Sequence, residues 1–482
     1  MLFLSSERKQ GSPRVAPSHG SKSRDHLKGS MSSIVSRKYL VIAATVSGLG
    51  GLLFGFDNIV ISGAIPYLTQ LFHLDATGLG WAAGCALIGC IAGAMSAGAF
   101  VDYLGQKKGL AVCAACFALS SAGIWFAASL NQFVVWRIIG GIGIGAASII
   151  APMYIAEIAP TRLRGRLVTL YQVGIVLGIL AAVFINMQIQ RMGDDAWNTA
   201  VGWRWMFLMG LFPAIAFAAI IVPAPESPRW LMKMGRIPEA VTVLTQINGA
   251  VTANREAAEI QSSLEVEEGH LSELLTSFRR PLLLGIMLAC FSQTSGITAT
   301  LSFLPEVFQA AGTATADAFM QSVLVGIVNL IFTLVGLWLI DVTGRKTLIV
   351  AGSFVQFLSF ALVGLLFYLH GSGALVVVFV MTFVIGHAFG NGVACWVIIS
   401  EIYPAKIRGR AMSIATTTLW MCSYLANQLF PIMMKHLGPD GTFWSFSSAA
   451  LVAMICFWKL VPETKGRSLE QITRFWMERS AS

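Results

Sequence analysis

Twelve apolar runs, most about twenty residues long, leave this chain few ways to fold. A run of that length, coiled as an α-helix, crosses the hydrocarbon core of a bilayer, about 30 Å thick. The runs lie near 39–66, 79–100, 109–130, 133–154, 167–187, 203–222, 282–309, 320–340, 347–369, 375–400, 411–433 and 442–461. Of the 482 residues, 56 % are hydrophobic and 12 % charged, about half the charge of an ordinary water-soluble domain. Lipid must be the solvent for most of this surface, which sets aside soluble enzymes. The expected fold class is all-α integral membrane, with twelve transmembrane helices and the lipid bilayer as a standing partner.

The net charge of +9 hints at nucleic acid, but its distribution does not. Residues 1–38 hold eight Lys/Arg against Glu7 and Asp25, and the remaining body is nearly balanced. A basic stretch beside a first membrane helix is held at the cytoplasmic face by anionic lipid and the positive-inside bias. Rich in Ser, Lys, Arg, Gly and Pro, this tail is expected to be disordered. It is not expected to be a cleaved signal peptide, because the apolar run from Tyr39 far exceeds the 7–15 residues of such a segment.

Alternate connections differ sharply in charge. Those after the second, fourth, eighth and tenth runs carry Lys107, Lys108, Arg162, Arg164, Arg166, Arg345, Lys346, Lys406, Arg408 and Arg410, whereas the opposite set holds little beyond Arg191 and Lys435. Both termini and the long 223–281 connection are therefore expected in the cytoplasm. That connection has six Lys/Arg and eight Asp/Glu, with Ile237, Ala240, Val241, Leu244 and Ile247 at helical spacing. It reads as a cytoplasmic insert of short amphipathic helices. The domains are then a tail over 1–38, a six-helix bundle over 39–222, the insert over 223–281, a second bundle over 282–461 and a cytoplasmic tail over 462–482.

Two segments recur about 240 residues apart. Glu157-Ile-Ala-Pro160-Thr-Arg162-Leu-Arg164-Gly165-Arg166 matches Glu401-Ile-Tyr-Pro404-Ala-Lys406-Ile-Arg408-Gly409-Arg410, and Asp102-x-x-Gly105-Gln106-Lys107 matches Asp341-x-x-Gly344-Arg345-Lys346. The chain is a duplicated six-helix unit, and parallel duplication of this kind places a binding site near midplane between the halves of a transporter. Asp102, Lys107, Glu157 and Arg164 in one half, with Asp341, Arg345, Glu401 and Arg408 in the other, are candidates for a gate of ion pairs that latches the cytoplasmic ends together. Gln106 stands where the second copy has Arg345, so the two latches are expected to differ in strength.

All eight cysteines fall in apolar runs and read as packing residues. Cys113-x-x-Cys116 has redox or zinc spacing but no second pair. Gly140, Gly141, Gly143 and Gly145 lie inside an apolar helix with no preceding strand, where close helix packing explains them better than a nucleotide loop. No Walker loop, metal spacing or catalytic set is present, so no cofactor, no metal and no enzymatic activity are expected. Nor does any feature call for an obligate protein partner.

Further motifs resemble the sugar porter branch of the major facilitator superfamily. They are Gly51-Leu-Leu-Phe-Gly-Phe-Asp57 with Ser62-Gly63, Arg137-Ile-Ile-Gly-Gly, Pro152-Met-Tyr-Ile-Ala-Glu157, Gly202-Trp-Arg-Trp, Pro225-Glu-Ser-Pro-Arg-Trp-Leu231 and Pro462-Glu-Thr-Lys-Gly-Arg467. The resemblance covers nearly all of 39–472 and implies two six-helix bundles, alternating access and a sugar-like substrate.

Asp57 and Arg137 lie in the first and fourth runs, where a charge costs about 2.5–3.5 kcal/mol at the helix centre. The resemblance implies that they form the proton-coupling pair. A nearby cation favours the carboxylate while burial favours the acid, so alternation between environments carries a proton; a static ion pair is the alternative. Sugar recognition needs donor–acceptor groups and an aromatic face. The resemblance assigns these to Gln172, Gln293, Trp396 and Trp420; Ser292, Thr298 and Asn391 are further candidates, as is His387, which stands where the family is usually apolar or aromatic and reads more readily as a neutral, hydrogen-bonded packing histidine. Where the family usually has Gln-Gln-x-Ser-Gly-x-Asn and then Tyr-Tyr, this chain has Ser292-Gln293-Thr-Ser295-Gly296-Ile-Thr298 and then Ser302-Phe303, so several hydrogen-bonding arms are shorter. The Pro of the family's Gly-Pro-x-x-Trp is replaced by Val393.

The expected function is secondary active transport, a proton-coupled symport of a monosaccharide or polyol across a plasma membrane, the absence of an Asn-x-Ser/Thr acceptor suiting a bacterial inner membrane. An uncoupled facilitator is the near alternative, and a transport-incompetent nutrient sensor a more distant one.

Overall fold

The computed structural model describes residues 22–159, 163–265, 278–403 and 407–465, with most side chains from Tyr39 onward. Regular structure among them is helical throughout. In lipid each peptide group must find its partner within its own segment, and the long apolar runs meet that demand as helices.

The first half contains α1 (Lys22–Ile59), α2 (Ile61–Phe72), α3 (Ala76–Leu104), α4 (Gln106–Trp125), α5 (Leu130–Ile158) and α6 (Arg164–Gln190). A sixth crossing is assembled from α7 (Asp195–Trp197), a π turn, α8 (Trp203–Leu208) and α9 (Leu211–Ile221). Because α1 starts at Lys22, helical backbone extends into the segment expected to be disordered; residues 1–21 lie outside the described range.

The insert folds as α10 (Pro228–Lys233), α11 (Ile237–Asn248) and α12 (Ala250–Glu265), which bury Leu231, Met232, Ala240, Leu244 and Ala253 against one another. It docks on the first half. Trp230 Nε1 donates to the Asp102 carbonyl (3.2 Å), Tyr154 Oη to the Pro225 carbonyl (2.6 Å) and Tyr39 Oη to Gln246 Oε1 (2.5 Å).

The second half comprises α13 (Arg279–Thr294), α14 (Ile297–Ser302), α15 (Leu304–Ala310), α16 (Thr315–Thr343), α17 (Arg345–Tyr368), α18 (Gly373–Gly386), a π turn at His387–Asn391, α19 (Gly392–Ile402), α20 (Arg408–His436) and α21 (Gly438–Leu460). Its first crossing ends at Ser302, earlier than the apolar run suggested, and α15 continues past it.

Among the described residues, eleven crossings are long and apolar enough to span a bilayer. The remaining one is α20, 29 residues long but diluted by polar side chains. Thr416, Ser423 and Asn427 are buried on one face while Met421, Leu425 and Leu429 are exposed on the other. A helix that lends one face to the protein interior cannot be apolar all round, so its polarity marks an interior face within the bilayer.

Glycines bring helices to backbone contact. A Cβ on Gly141 or Gly145 of α5 would strike the carbonyl oxygen of Ala86 or Cys90 in α3, which is the helix-packing role expected of that cluster. The two halves meet along α3 with α20 and along α6 with α16. At the face away from the insert, α2 also packs against α14 and α15, and Gln428 Nε2 donates to the Thr77 carbonyl (3.1 Å). The halves are closed over the site at this far face.

Candidate substrate and proton site

Besides the sixth, three crossings are interrupted among the described residues. The first breaks at Val60, one turn beyond Asp57, with Pro66 inside α2. The seventh breaks at Gly296, whose φ of 86° is open to glycine but costly for other residues, and a Cβ there would lie 2.8 Å from the Phe446 ring. The tenth is interrupted by its π turn, a feature often found at functional sites. Breaks free side chains and backbone groups that a continuous helix would point at its neighbours.

Asp57 and Arg137 are 6 % and 1 % exposed and form the expected pair. Arg137 Nη1 lies 3.1 Å from Asp57 Oδ2 and donates also to the Asp57 carbonyl oxygen at 3.1 Å. Its guanidinium stands 5.3 Å from the centroid of Phe207, within cation–π range. Arg137 Nε is buried without a hydrogen-bond partner, so the cation is incompletely satisfied. Such a pair is poor ballast, because two desolvated charges repay their burial only with full hydrogen bonding. Gly140 is required by crowding rather than by φ: a Cβ there would sit 2.6 Å from Ser120 Oγ and 3.5 Å from Asp57 Oδ2.

One turn before Asp57, Phe54 packs on Trp420 of α20 with ring centroids 5.5 Å apart, and on Tyr171 of α6 at 6.4 Å. This aromatic group bridges the halves. Trp420 is buried with its indole N–H unpartnered, and Gln172, beside Tyr171, is half-buried. Residues one turn apart share a helix face, so Asp57 and the aromatic contact of Phe54 lie on one face of α1.

Gln293 stands at the break of the seventh crossing. Its Oε1 accepts from Thr298 Oγ1 (2.6 Å) and Ser423 Oγ (3.0 Å), and its Nε2 donates to Ser292 Oγ (3.3 Å). Gln293, Ser292 and Thr298 are thus brought together as expected, with Ser423 a member that the motifs did not single out. Trp396, on α19, is half-buried at the edge of the same apolar cluster as Trp420.

His387 and Asn391 are placed in a different network. Asn391 Nδ2 donates to Gln356 Oε1 (2.7 Å), Gln356 Nε2 to His387 Nδ1 (3.3 Å) and Ser353 Oγ to Asn391 Oδ1 (3.1 Å). An amide nitrogen only donates, so Nδ1 accepts. These bonds tie the π turn to α17 within the second half.

At the insert face the repeated motifs form two matching corners. The Glu226 carboxylate accepts from the backbone N–H of Lys107 (3.0 Å) and Ser227 (2.9 Å), covering the start of α4. The Glu463 carboxylate accepts from Arg345 N (3.1 Å), Lys346 N (3.1 Å) and Lys465 N (2.9 Å), covering the start of α17. Gly105 (φ 87°) and Gly344 (φ 93°) make room, since a Cβ would lie 2.5 Å and 2.6 Å from the respective carboxylate oxygens. Neither glutamate was singled out as a gate residue, although Pro225-Glu-Ser and Pro462-Glu-Thr recur at the repeat distance.

Among the described residues, the expected gate groups bond within the first half and its docked insert, or within the second half, and none pairs across the halves. Asp102 pairs with Lys233 (2.8 Å), and Arg345 with Asp341 and Glu401 (both 3.3 Å). Lys107 Nζ donates to the Val222 carbonyl (2.8 Å). Glu157 accepts from Ser227 Oγ and is in hydrogen-bond reach of Gln106. Arg345 therefore gives Glu401 a cation where Gln106 gives Glu157 a neutral amide, the inequality expected from sequence. Arg162 and Lys406 lie outside the described residues, as do the side chains of Arg164 and Arg408.

Comparison with known proteins gives this geometry a context. The model of the sugar (and other) transporter family matches residues 43–476. The chain belongs to that family. It is 38 % identical over 449 residues to an arabinose-proton symporter of Bacillus subtilis, covering 92 % of this chain and 96 % of the relative. It is 34 % identical over 478 residues to a D-xylose-proton symporter of Escherichia coli, covering 92 % and 97 %. A solved structure of a xylose transporter from Escherichia coli, in a partially occluded inward open conformation, superposes with a TM-score of 0.81 at 33 % identity, covering 89 % of this chain and all of that one.

Proposed function

We propose that this protein is a proton-coupled symporter of a monosaccharide or polyol, working by alternating access in a bacterial inner membrane. The observation that carries the reading is the buried, incompletely bonded Asp57–Arg137 pair, one helical turn from the Phe54–Trp420 contact that bridges the halves. The symporters to which the chain is similar support it.

Phe54, Tyr171, Trp420 and Trp396 supply an apolar wall for one ring face of the sugar, and Gln172 and Gln293 its hydroxyl partners. Gln293 Oε1 is already held by Thr298 and Ser423, so an arriving hydroxyl exchanges with hydroxyls and leaves no acceptor bare. Proton binding to Asp57 removes the anion that holds Arg137, and each state of the pair favours a different arrangement of α1 against α5. With the far face closed, the site opens toward the insert. The excess of cations on the insert side makes that side the cytoplasm, with both termini there, so this state faces inward.

The test is the medium pH of lightly buffered cells or vesicles as pentoses, hexoses, deoxysugars and inositols are added in turn. One of them is expected to alkalinise the medium as proton and solute enter together. Isotope counterflow without a pH change would replace symport by facilitated diffusion, and silence with every solute would contradict a sugar or polyol substrate.

A further inference from the structure

Beyond the end of the seventh crossing, α15 carries Glu306 into the contact that closes the far face. Both carboxyl oxygens are buried and neither has a hydrogen-bond partner. Gln309, one turn on along the same face of α15, has a buried and unpartnered Nε2, and Tyr67 of α2, close enough to Glu306 to feel its charge, has a buried and unpartnered hydroxyl. These groups belong to the two surfaces, α15 of one half and α2 of the other, whose contact shuts the far side.

The surroundings offer no counter-charge among the described residues. The titratable group of α2 is Tyr67, and Asp195 of α7 lies near it as a second acid. Neither α14 nor α18 carries an ionisable side chain, and Asp317, in the first turn of α16, is exposed. A carboxylate sealed off from water with no cation near it, and with only its own backbone N–H in reach, is strongly disfavoured, and it takes up a proton instead. Burial accordingly pushes the Glu306 carboxyl up to about 8. When the halves part at this face, α15 and α2 separate and the same carboxyl meets water.

We propose that Glu306 is a second proton-binding acid of the transport cycle: it takes one proton from far-side water as the halves close over it and returns that proton to the same side when they open. The O–H bond formed on closing is the one broken on opening, so this proton is not carried across. It makes closure of the far face easier in acid. The proposal rests on the alternating-access reading above but not on proton carriage by Asp57.

The sign follows from linkage. The closed state binds the proton more tightly than the open one, so closing is favoured as pH falls. Between the ordinary carboxylate range, near 4.3, and about 8, the closed-to-open ratio changes by up to tenfold per pH unit. Above that range the closed state has lost the whole of this contribution.

Spin labels on His73→Cys and Ala310→Cys, two exposed far-face positions, report the separation of α2 and α15 in a chain whose native cysteines are replaced. Asp57→Asn in the same background removes the other acid from the titration. With Glu306 present, the short-distance population is expected to fall as pH rises from 5 to 9. With Glu306→Gln it stays short throughout, and with Glu306→Asp, which keeps an acid, the pH dependence returns. A distribution that holds both short and long separations with Glu306 in place yet is indifferent to pH, or one that shifts equally in Glu306→Gln, would overturn the proposal. Loss of far-face opening at every pH in the Glu306 chain would instead strike the alternating-access reading.

Discussion

At the scale of single residues, what was readable from sequence was what is expensive. Asp57 and Arg137 stand out because a charge inside a membrane span has few cheap explanations, and the structure pairs them at 3.1 Å. Gln293 was equally visible, and it is the amide on which Thr298, Ser423 and Ser292 converge. His387, which reads more readily as a packing histidine, and Asn391 bond to Gln356 and Ser353, and the π turn that holds them adds a residue to the helix and rotates the faces on either side of it. Periodicity at 3.6 residues per turn gives no warning of that rotation. If Gln293 is a hydroxyl partner of the sugar, Gln293→Ala removes one or two neutral hydrogen bonds, each about 0.5–1.5 kcal/mol. Equilibrium binding should weaken by about tenfold, whereas Gln356→Ala should alter stability more than affinity. Unchanged affinity in Gln293→Ala would remove that residue from the site.

At the scale of elements, helix count and order were legible from hydropathy, and boundaries less so. The seventh crossing ends at Ser302 and hands over to α15, which hydropathy alone runs together. The polar face of α20 was visible as scattered Thr, Ser and Asn, yet only packing against α3 and α13 shows why it is polar. The insert-face corners were half legible. Their motifs were plain, but no sequence pattern says that Glu226 and Glu463 reach back across the fold to cover the starts of α4 and α17. A carboxylate at a helix N-terminus satisfies orphan N–H groups and meets the positive end of the helix dipole. By that measure Glu463→Ala and Glu226→Ala should each cost about 0.5–2 kcal/mol and lower the thermal unfolding temperature in detergent. Retention of the parent unfolding temperature in both would show that water replaces the carboxylates without loss.

At the scale of the whole molecule, the duplication read from two recurring motifs is realised as paired corners of the same design, one in each half. Their inequality is built in: Arg345 bonds Glu401, while Gln106 faces Glu157. The contact at the far face and the insert-face bonds, each kept to one side of the molecule among the described residues, suit one end of the rocking motion proposed above. The decisive measurement is solute accumulation in proteoliposomes given an inside-alkaline pH gradient, comparing the parent chain with Asp57→Asn. The parent should concentrate its sugar or polyol above the outside level, and Asp57→Asn should lose that accumulation while still exchanging labelled for unlabelled solute. Undiminished accumulation by Asp57→Asn would contradict proton coupling through this pair.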